Sequence, residues 1–265
     1  PSLALEEAHH HDHDDGDAAD VHQLNASRNR YYHERLWCEL QAQPVGSAFI
    51  EIGAGTGHDA AQFVGKYDLL LTDVSPHTLE RTAAKLGHER VQYAAAEGAH
   101  LPVGNASVNA LYMVATFHHL PDPAAAVREY ARVLKPGGVV AIAIEPNATY
   151  FRWIKYFRKF LCKLTHADPH EGSHADAEME GFTFKQLHNY FPAAEWRDVR
   201  VEPLWLFAGW WHYLAEFLFR SLRLKKRIQL PGALELAIVH VDELLFKIPG
   251  VKHLGWHWYV RATRV

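Results

Sequence analysis

Gly53, Gly55 and Gly57 fall within five residues of "FIEIGAGTG", directly after an apolar run. Glycine accepts left-handed backbone and carries no side chain, so such a loop lets a ligand lie against bare peptide where a helix begins. The spacing departs from the G-x-G-x-x-G of dinucleotide sites. Asp73 closes a second apolar run in "DLLLTDVS", where its carboxylate is suited to accept from both hydroxyls of a ribose. Glu97 closes a third in "RVQYAAAEG". His118 and His119, in "FHHLPDP", offer imidazoles able to take a proton near neutral pH, and Tyr31, Tyr32 and His33 are further candidates. Each has a plainer use as well: a tight turn for the glycines, loop structure for the histidines, packing over a ligand for the tyrosines.

Apolar runs alternating with helix-like stretches from about 47 to 145 predict βαβ units around a parallel sheet. "SAFIEIG", "DLLLTDVS", "RVQYAAAEG", "VNALYMVAT" and "VVAIAIE" read as strands. "GHDAAQFVGKY", "PHTLERTAAKLG" and "DPAAAVREYARVLKPGG" read as helices, the last closed by Pro136, Gly137 and Gly138. On such a sheet the glycines, Asp73, Glu97 and the histidines share the rim at the carboxyl ends of the strands.

The ordered set "EIGAGTG", "LTDVS", "AEGAHLP", "FHHLPDP" and "LKPGGVV" resembles the class I S-adenosylmethionine-dependent methyltransferases, in the branch of the ubiquinone/menaquinone C-methyltransferases. The resemblance implies a Rossmann-like, doubly wound sheet of about seven strands, mostly parallel with the last antiparallel, and helical cap insertions. It implies S-adenosylmethionine as methyl donor, leaving S-adenosylhomocysteine. It places the amino-acid end of the cofactor on Gly53, Ala54, Gly55 and Gly57, with Glu51 opening the motif. Asp73 would meet the ribose, Val74 the adenine ring, and Glu97 and the Gly98 amide the adenine edge. Met113 and Val114 would line the methionine end. His118, His119 and Tyr32 are the candidate bases. Val108 and Asn109 replace a frequent Phe-Asp pair, and Glu97 is one methylene longer than the usual Asp.

The remaining stretches divide around that core. Residues 1–24, acidic and rich in histidine ("HHHDHDDGD"), predict a disordered tail, and 25–46 a lid helix. The core spans 47–146 and is completed by 181–203 and 256–265. A basic amphipathic insertion occupies 147–180, in which "YFRWIKYFRKFLCKL" repeats apolar residues at three and four. A helical cap occupies 204–255. The aromatic content of both insertions, with the basic run Arg220 to Arg227, predicts a small or lipid-like hydrophobic acceptor and peripheral contact with an anionic membrane. O- or C-methylation is favoured by the family resemblance alone. A lipid-linked glycan precursor as acceptor, a nucleotide-binding oxidoreductase and a non-catalytic cofactor-binding scaffold are the rival readings.

The 265 residues, 48% hydrophobic and 22% charged, suit a globular chain with a large core. The net charge of −4 comes from the acidic first 20 residues, which leaves a mildly basic body and no case for nucleic acid. With no long apolar run and no basic-then-apolar leader, a soluble cytoplasmic protein is expected. Cys38 and Cys162 have no disulfide or metal-type spacing. No metal site is expected, although His166, His170 and His174 recur every fourth residue.

Overall fold

The computed structural model describes residues 26–150, 152, 156, 181–222, 226 and 228–265. Helix α1 (Ser27–Leu40) precedes strand β1 (Ala48–Ile52). Then come β2 (Asp68–Asp73), α2 (Pro76–Leu86), β3 (Val91–Ala95), β4 (Val108–Val114), α3 (Pro123–Val133) and β5 (Leu134–Pro146). Helix α4 (Phe184–Asn189), β6 (Trp196–Leu204), α5 (Phe207–Ser221), α6 (Gly232–Leu245) and β7 (His257–Arg264) complete the order.

The seven strands form one sheet in the order β3-β2-β1-β4-β5-β7-β6. β7 runs antiparallel to both β5 and β6, while the pairs from β3 through β5 are parallel, so the expected Rossmann-like topology is present. Strand order reverses between β1 and β4, which opens a crevice at their carboxyl ends. Both faces of the sheet are covered. Phe49, Leu71, Ala110 and Tyr112 join α1 in one core cluster, and Ile50, Leu111, Met113 and Ile142 join α3 in the other. This double burial explains why the strands read as nearly unbroken apolar runs.

Local signals set the helix starts. Ser75 caps Thr78 N ahead of Pro76, Asp122 caps Ala125 N ahead of Pro123, and Thr183 forms a capping box with Gln186. Two readings of the sequence need correction. "GHDAAQFVGKY" forms no α-helix, only a single 3-10 turn at Ala60–Gln62. Gly57 and Gly65, at φ +67° and +77°, confine it to the few residues between them, and Asp59 is drawn away to α1. Helix α3 ends at Val133 rather than at the Pro-Gly-Gly, because Leu134 already pairs with Val108 and the strand bulges through Pro136 to reach Val139 opposite Ala110.

The stretch expected to be a helical cap forms the hairpin α5–α6, whose α6 packs on α1. Its ends meet: the Trp256 amide donates to the carbonyls of both Leu204 and Trp205. Asp242 of α6, fully buried, accepts from the Leu206, Phe207 and Ala208 amides and so caps α5 from a neighbouring helix. Glu235 of α6 accepts from Arg28 N and Arg28 Nη1, and Glu243 from the Tyr32 hydroxyl. The acidic tail, the amphipathic helix expected from Phe151 to Leu164 apart from exposed Arg152 and Tyr156, and the triplet His166, His170 and His174 lie outside the described residues. Among the described residues, no helix is long and apolar enough to cross a membrane.

Candidate active site

The glycine loop leaves β1 in a geometry that only glycine satisfies easily. Gly53 stands at φ +65°, and a Cβ there would lie 2.5 Å from the Thr116 side chain. At Gly55, φ +47°, a Cβ would meet nothing within 4 Å, so the loop presents bare backbone to open space. That space is the cradle a small ligand needs against peptide. Five bonds hold the loop in place. Ala54 N donates to Thr72 O, Gly57 N to Ala54 O, Gly55 N to Asp73 Oδ2 at 3.0 Å, Thr82 Oγ1 to Gly55 O, and Lys85 Nζ to Thr56 O.

Asp73 therefore acts as a brace: its other oxygen accepts from Ser75 N at 3.0 Å. Each carboxylate oxygen retains a further lone pair for a ligand hydroxyl. Glu51 is buried beneath the loop, where it accepts from the Tyr112 hydroxyl at 3.0 Å. Burial, reinforced by the charge of Asp59, holds its carboxyl well above the usual range. Ala54 is buried and Val74 half-buried beside Asp73. Glu97 lies two residues beyond β3, partly exposed and 3.8 Å from His100 Nδ1. Gly98 is needed for packing, since a Cβ would lie 2.8 Å from Leu120 Cδ2.

One expected lining residue is misplaced. Met113 is wholly buried in the cluster shared with α3, because side chains alternate along β4 and the odd positions from Leu111 point away from the α1 side. Val114, half-buried, packs against the opposite cluster with Tyr112.

Beyond β4, the chain turns sharply at Ala115 (φ +50°) into Thr116, Phe117 and His118. Across from it, β5 has a register break between Ile142 and Glu145, with Ile144 at φ +60°, a strained backbone for a β-branched residue. The bulge re-aims Glu145 beneath the β4 loop. There its fully buried carboxylate accepts from Thr116 N (3.0 Å) and Phe117 N (2.8 Å) through Oε1, and from His118 N (3.0 Å) and His118 Nδ1 (2.9 Å) through Oε2. A carboxylate accepting three amides acts as an acceptor toward the ring too, so Nδ1 carries the proton and Nε2 keeps a free lone pair. His119 is exposed and stacks on His118 with centroids 4.0 Å apart.

His257, at the start of β7, is the second imidazole of this edge. Burial, with smaller contributions from the charges of His118 and Arg28, lowers its pKa to about 3. It stays neutral at physiological pH. Arg28 is ion-paired to Glu235 at 2.9 Å and lies 3.0 Å from His212 Nδ1. Desolvation lowers the Arg28 pKa against the pull of Glu235. Tyr32 takes another place than expected: its hydroxyl is committed to Glu243 at 2.7 Å, and burial pushes its pKa well up, so it anchors the cap and is no base. Sequence reasoning passed over Glu145, His257, Arg28 and Glu235. Only Glu145 carried a signal, as an acid closing the apolar run "VVAIAIE".

Among the described residues, His33, His58 and Asp59 bring metal-ligating atoms within 4.8 Å of one another. Hydrogen bonds account for the group. Asp59 Oδ1 accepts from Trp37 Nε1 and pairs with His33 Nδ1, both at 2.7 Å, which pins α1 to the glycine loop.

Residues 50–142 match the family model described as a methyltransferase domain. The chain is 30% identical over 104 residues to 27-O-demethylrifamycin SV methyltransferase of Amycolatopsis mediterranei, covering 37% of this chain and 38% of that protein. It is 29% identical over 115 residues to the chloroplastic 2-methyl-6-phytyl-1,4-hydroquinone methyltransferase 1 of Oryza sativa subsp. japonica, covering 42% and 34%. These matches span less than half the length of either relative. A putative sarcosine dimethylglycine methyltransferase from Galdieria sulphuraria shares the fold, with TM-score 0.56 and 16% identity over 89% of this chain and 86% of that one. The glycine loop and the braced Asp73 thus lie in the stretch that matches a methyltransferase domain, a domain whose cofactor is S-adenosylmethionine, and the whole sheet has the class I methyltransferase fold.

Proposed function

We propose that this protein transfers a methyl group from S-adenosylmethionine to an oxygen nucleophile on a hydrophobic, small or lipid-like acceptor, with His118 as the general base. The observation that carries the reading is the His118–Glu145 pair, set against the glycine loop through the contact of Thr116 with Gly53. When bound, the cofactor supplies a methyl group already activated on a sulfonium. The chain supplies alignment, exclusion of water and a place for a proton.

Gly53, Gly55 and Gly57 would hold the amino-acid end against backbone, Asp73 the ribose, and Glu97 with the Gly98 amide the adenine. Glu145 keeps His118 in the tautomer whose Nε2 accepts, so a hydroxyl poised there loses its proton as it attacks. Glu145 then faces the imidazolium that forms and offsets its charge. Neutral His257 and the paired Arg28 close the edge under the cap without placing an uncompensated positive charge beside that imidazolium.

The acceptor class follows from the roof. Trp210 meets Tyr150 and Trp256 edge to face, Tyr150 lies tilted on Trp256, and Trp205 joins the same core cluster between the hairpin and the end of β5. The two curated relatives named above act, by name, on a rifamycin and on a phytyl-bearing hydroquinone.

The test measures S-adenosylhomocysteine release with a panel of hydrophobic phenols, hydroxylated polyketides and isoprenoid quinols, beside calorimetric titration of the cofactor. His118→Ala is expected to lower turnover by about a hundredfold or more while cofactor affinity stays within about threefold. Undiminished turnover in that variant, or failure of the wild type to bind the cofactor, would overturn the reading.

A further inference from the structure

We propose that the α5–α6 hairpin is a docking face for an anionic lipid bilayer, with the groove between its helices taking lipid hydrocarbon. This goes beyond the methyl-transfer reading and does not depend on it.

Helix α6 is amphipathic in reverse. Its acids, Glu235, Asp242 and Glu243, are turned toward Arg28, the α5 amides and Tyr32. The outward stripe is apolar: Leu234, Val241 and Leu244 are 49%, 47% and 61% exposed, at helical spacing. Phe207 and Leu214 continue the surface on α5, and Ile248 extends it past α6. Folding has used every charge on α6 internally and left hydrocarbon facing out. A patch of this kind marks an interaction surface.

Between the helices lies a groove of about 680 Å³, floored by Trp210, Tyr213, Phe217 and Ile238. Trp210 and Tyr213 back onto Trp256, the residue whose carbonyl accepts from Asn147 N two residues past Glu145. Hydrocarbon in the groove would therefore sit one aromatic layer from the carboxyl edge.

Charge selects the partner. In sequence, Arg220 lies in the last turn of α5 and Arg223, Lys225, Lys226 and Arg227 follow before α6, with no acid from Phe217 to Leu234. Lys247 stands exposed at the other end of α6. An exposed apolar face with exposed Lys226 before α6 and exposed Lys247 after it fits a negatively charged bilayer, whose acyl boundary takes the stripe. The helices are too short to span, so the contact is interfacial.

The experiment is co-sedimentation of the whole protein with vesicles of phosphatidylcholine, alone or mixed with phosphatidylglycerol. Binding is expected to favour the anionic vesicles by at least about tenfold and to weaken as salt rises. Tryptophan emission should be quenched by lipids brominated on the acyl chain, through Trp210 and Trp211. Leu234→Glu/Val241→Glu should abolish sedimentation with both vesicles, and Lys226→Glu/Lys247→Glu should remove the anionic preference. An unchanged melting temperature and cofactor affinity certify the fold of each variant. Equal binding to both vesicles, or full binding by the Leu234→Glu/Val241→Glu variant, overturns the proposal. So does a change confined to oligomeric state, which would make the face a contact between copies. Methyl transfer to a water-soluble acceptor reads the catalytic proposal separately.

Discussion

Glu145 holds four hydrogen bonds in a site with no water contact, and that concentrates both stability and chemistry in one carboxylate. Glu145→Gln keeps the shape but exchanges one acceptor oxygen for a donor facing other donors. Stability should fall by about 1–3 kcal/mol in urea titration, and turnover should fall by no more than in His118→Ala, since Glu145 acts through that ring. His257 gives a prediction in pH. Its folded pKa is about 3, against 6.5 for the ordinary group, so between those values the unfolded chain binds a proton that the folded one refuses. Its contribution is complete above about pH 6.5 and is lost as pH falls toward 3, at up to about 1.4 kcal/mol per pH unit. His257→Gln should flatten that part of the stability profile, and an identical slope in the variant would disprove the assignment. At this scale the sequence was half legible. Glycine spacing and an acid ending an apolar strand betray Gly53 and Asp73. Glu145 was visible by the same rule, whereas His257 and Arg28 matter only through partners more than a hundred residues away.

Helix starts and strand segments were readable because they are written locally, in Ser75-Pro76, Asp122-Pro123 and the unbroken apolar strands. What failed was set by tertiary competition. The residues after Gly57 look helical in composition, yet Asp59 gains more from His33 and Trp37 than a short helix bounded by two left-handed glycines would return. Met113 was misassigned for a related reason: pleat parity, not sequence type, decides which face it joins. The clearest prediction for an element concerns α5, whose first amides have no local cap and depend on Asp242. Asp242→Ala should destabilise the protein by about 2 kcal/mol or more and raise amide exchange at Leu206 to Ala208 first. Uniform exchange across the hairpin would count against capping in trans. Gly53→Ala combines a left-handed backbone with a collision at Thr116 and should abolish cofactor binding while leaving the secondary structure intact by circular dichroism.

The ion pair Arg28–Glu235 joins α1 to α6, each side chain 9% exposed. Arg28→Met strands a buried carboxylate and should cost about 3 kcal/mol or more, whereas Arg28→Met with Glu235→Leu should recover most of the loss. Thermal melts of the three proteins decide between a pair kept for stability and one kept for orientation: a double variant as stable as wild type but slow in turnover indicates the latter.

The closure of the chain at Leu204, Trp205 and Trp256 reaches further. The path leaves the sheet and returns to it at neighbouring residues, so a hairpin of another length fits there as long as it keeps the bonds of Glu235 and Glu243 to α1. Its length and sequence can drift without disturbing the register of β6 on β7. Evolution can thus refit the acceptor side, and whatever surface the protein visits, while the donor side stays unchanged, and an engineer could trade hairpins between relatives at the same two residues.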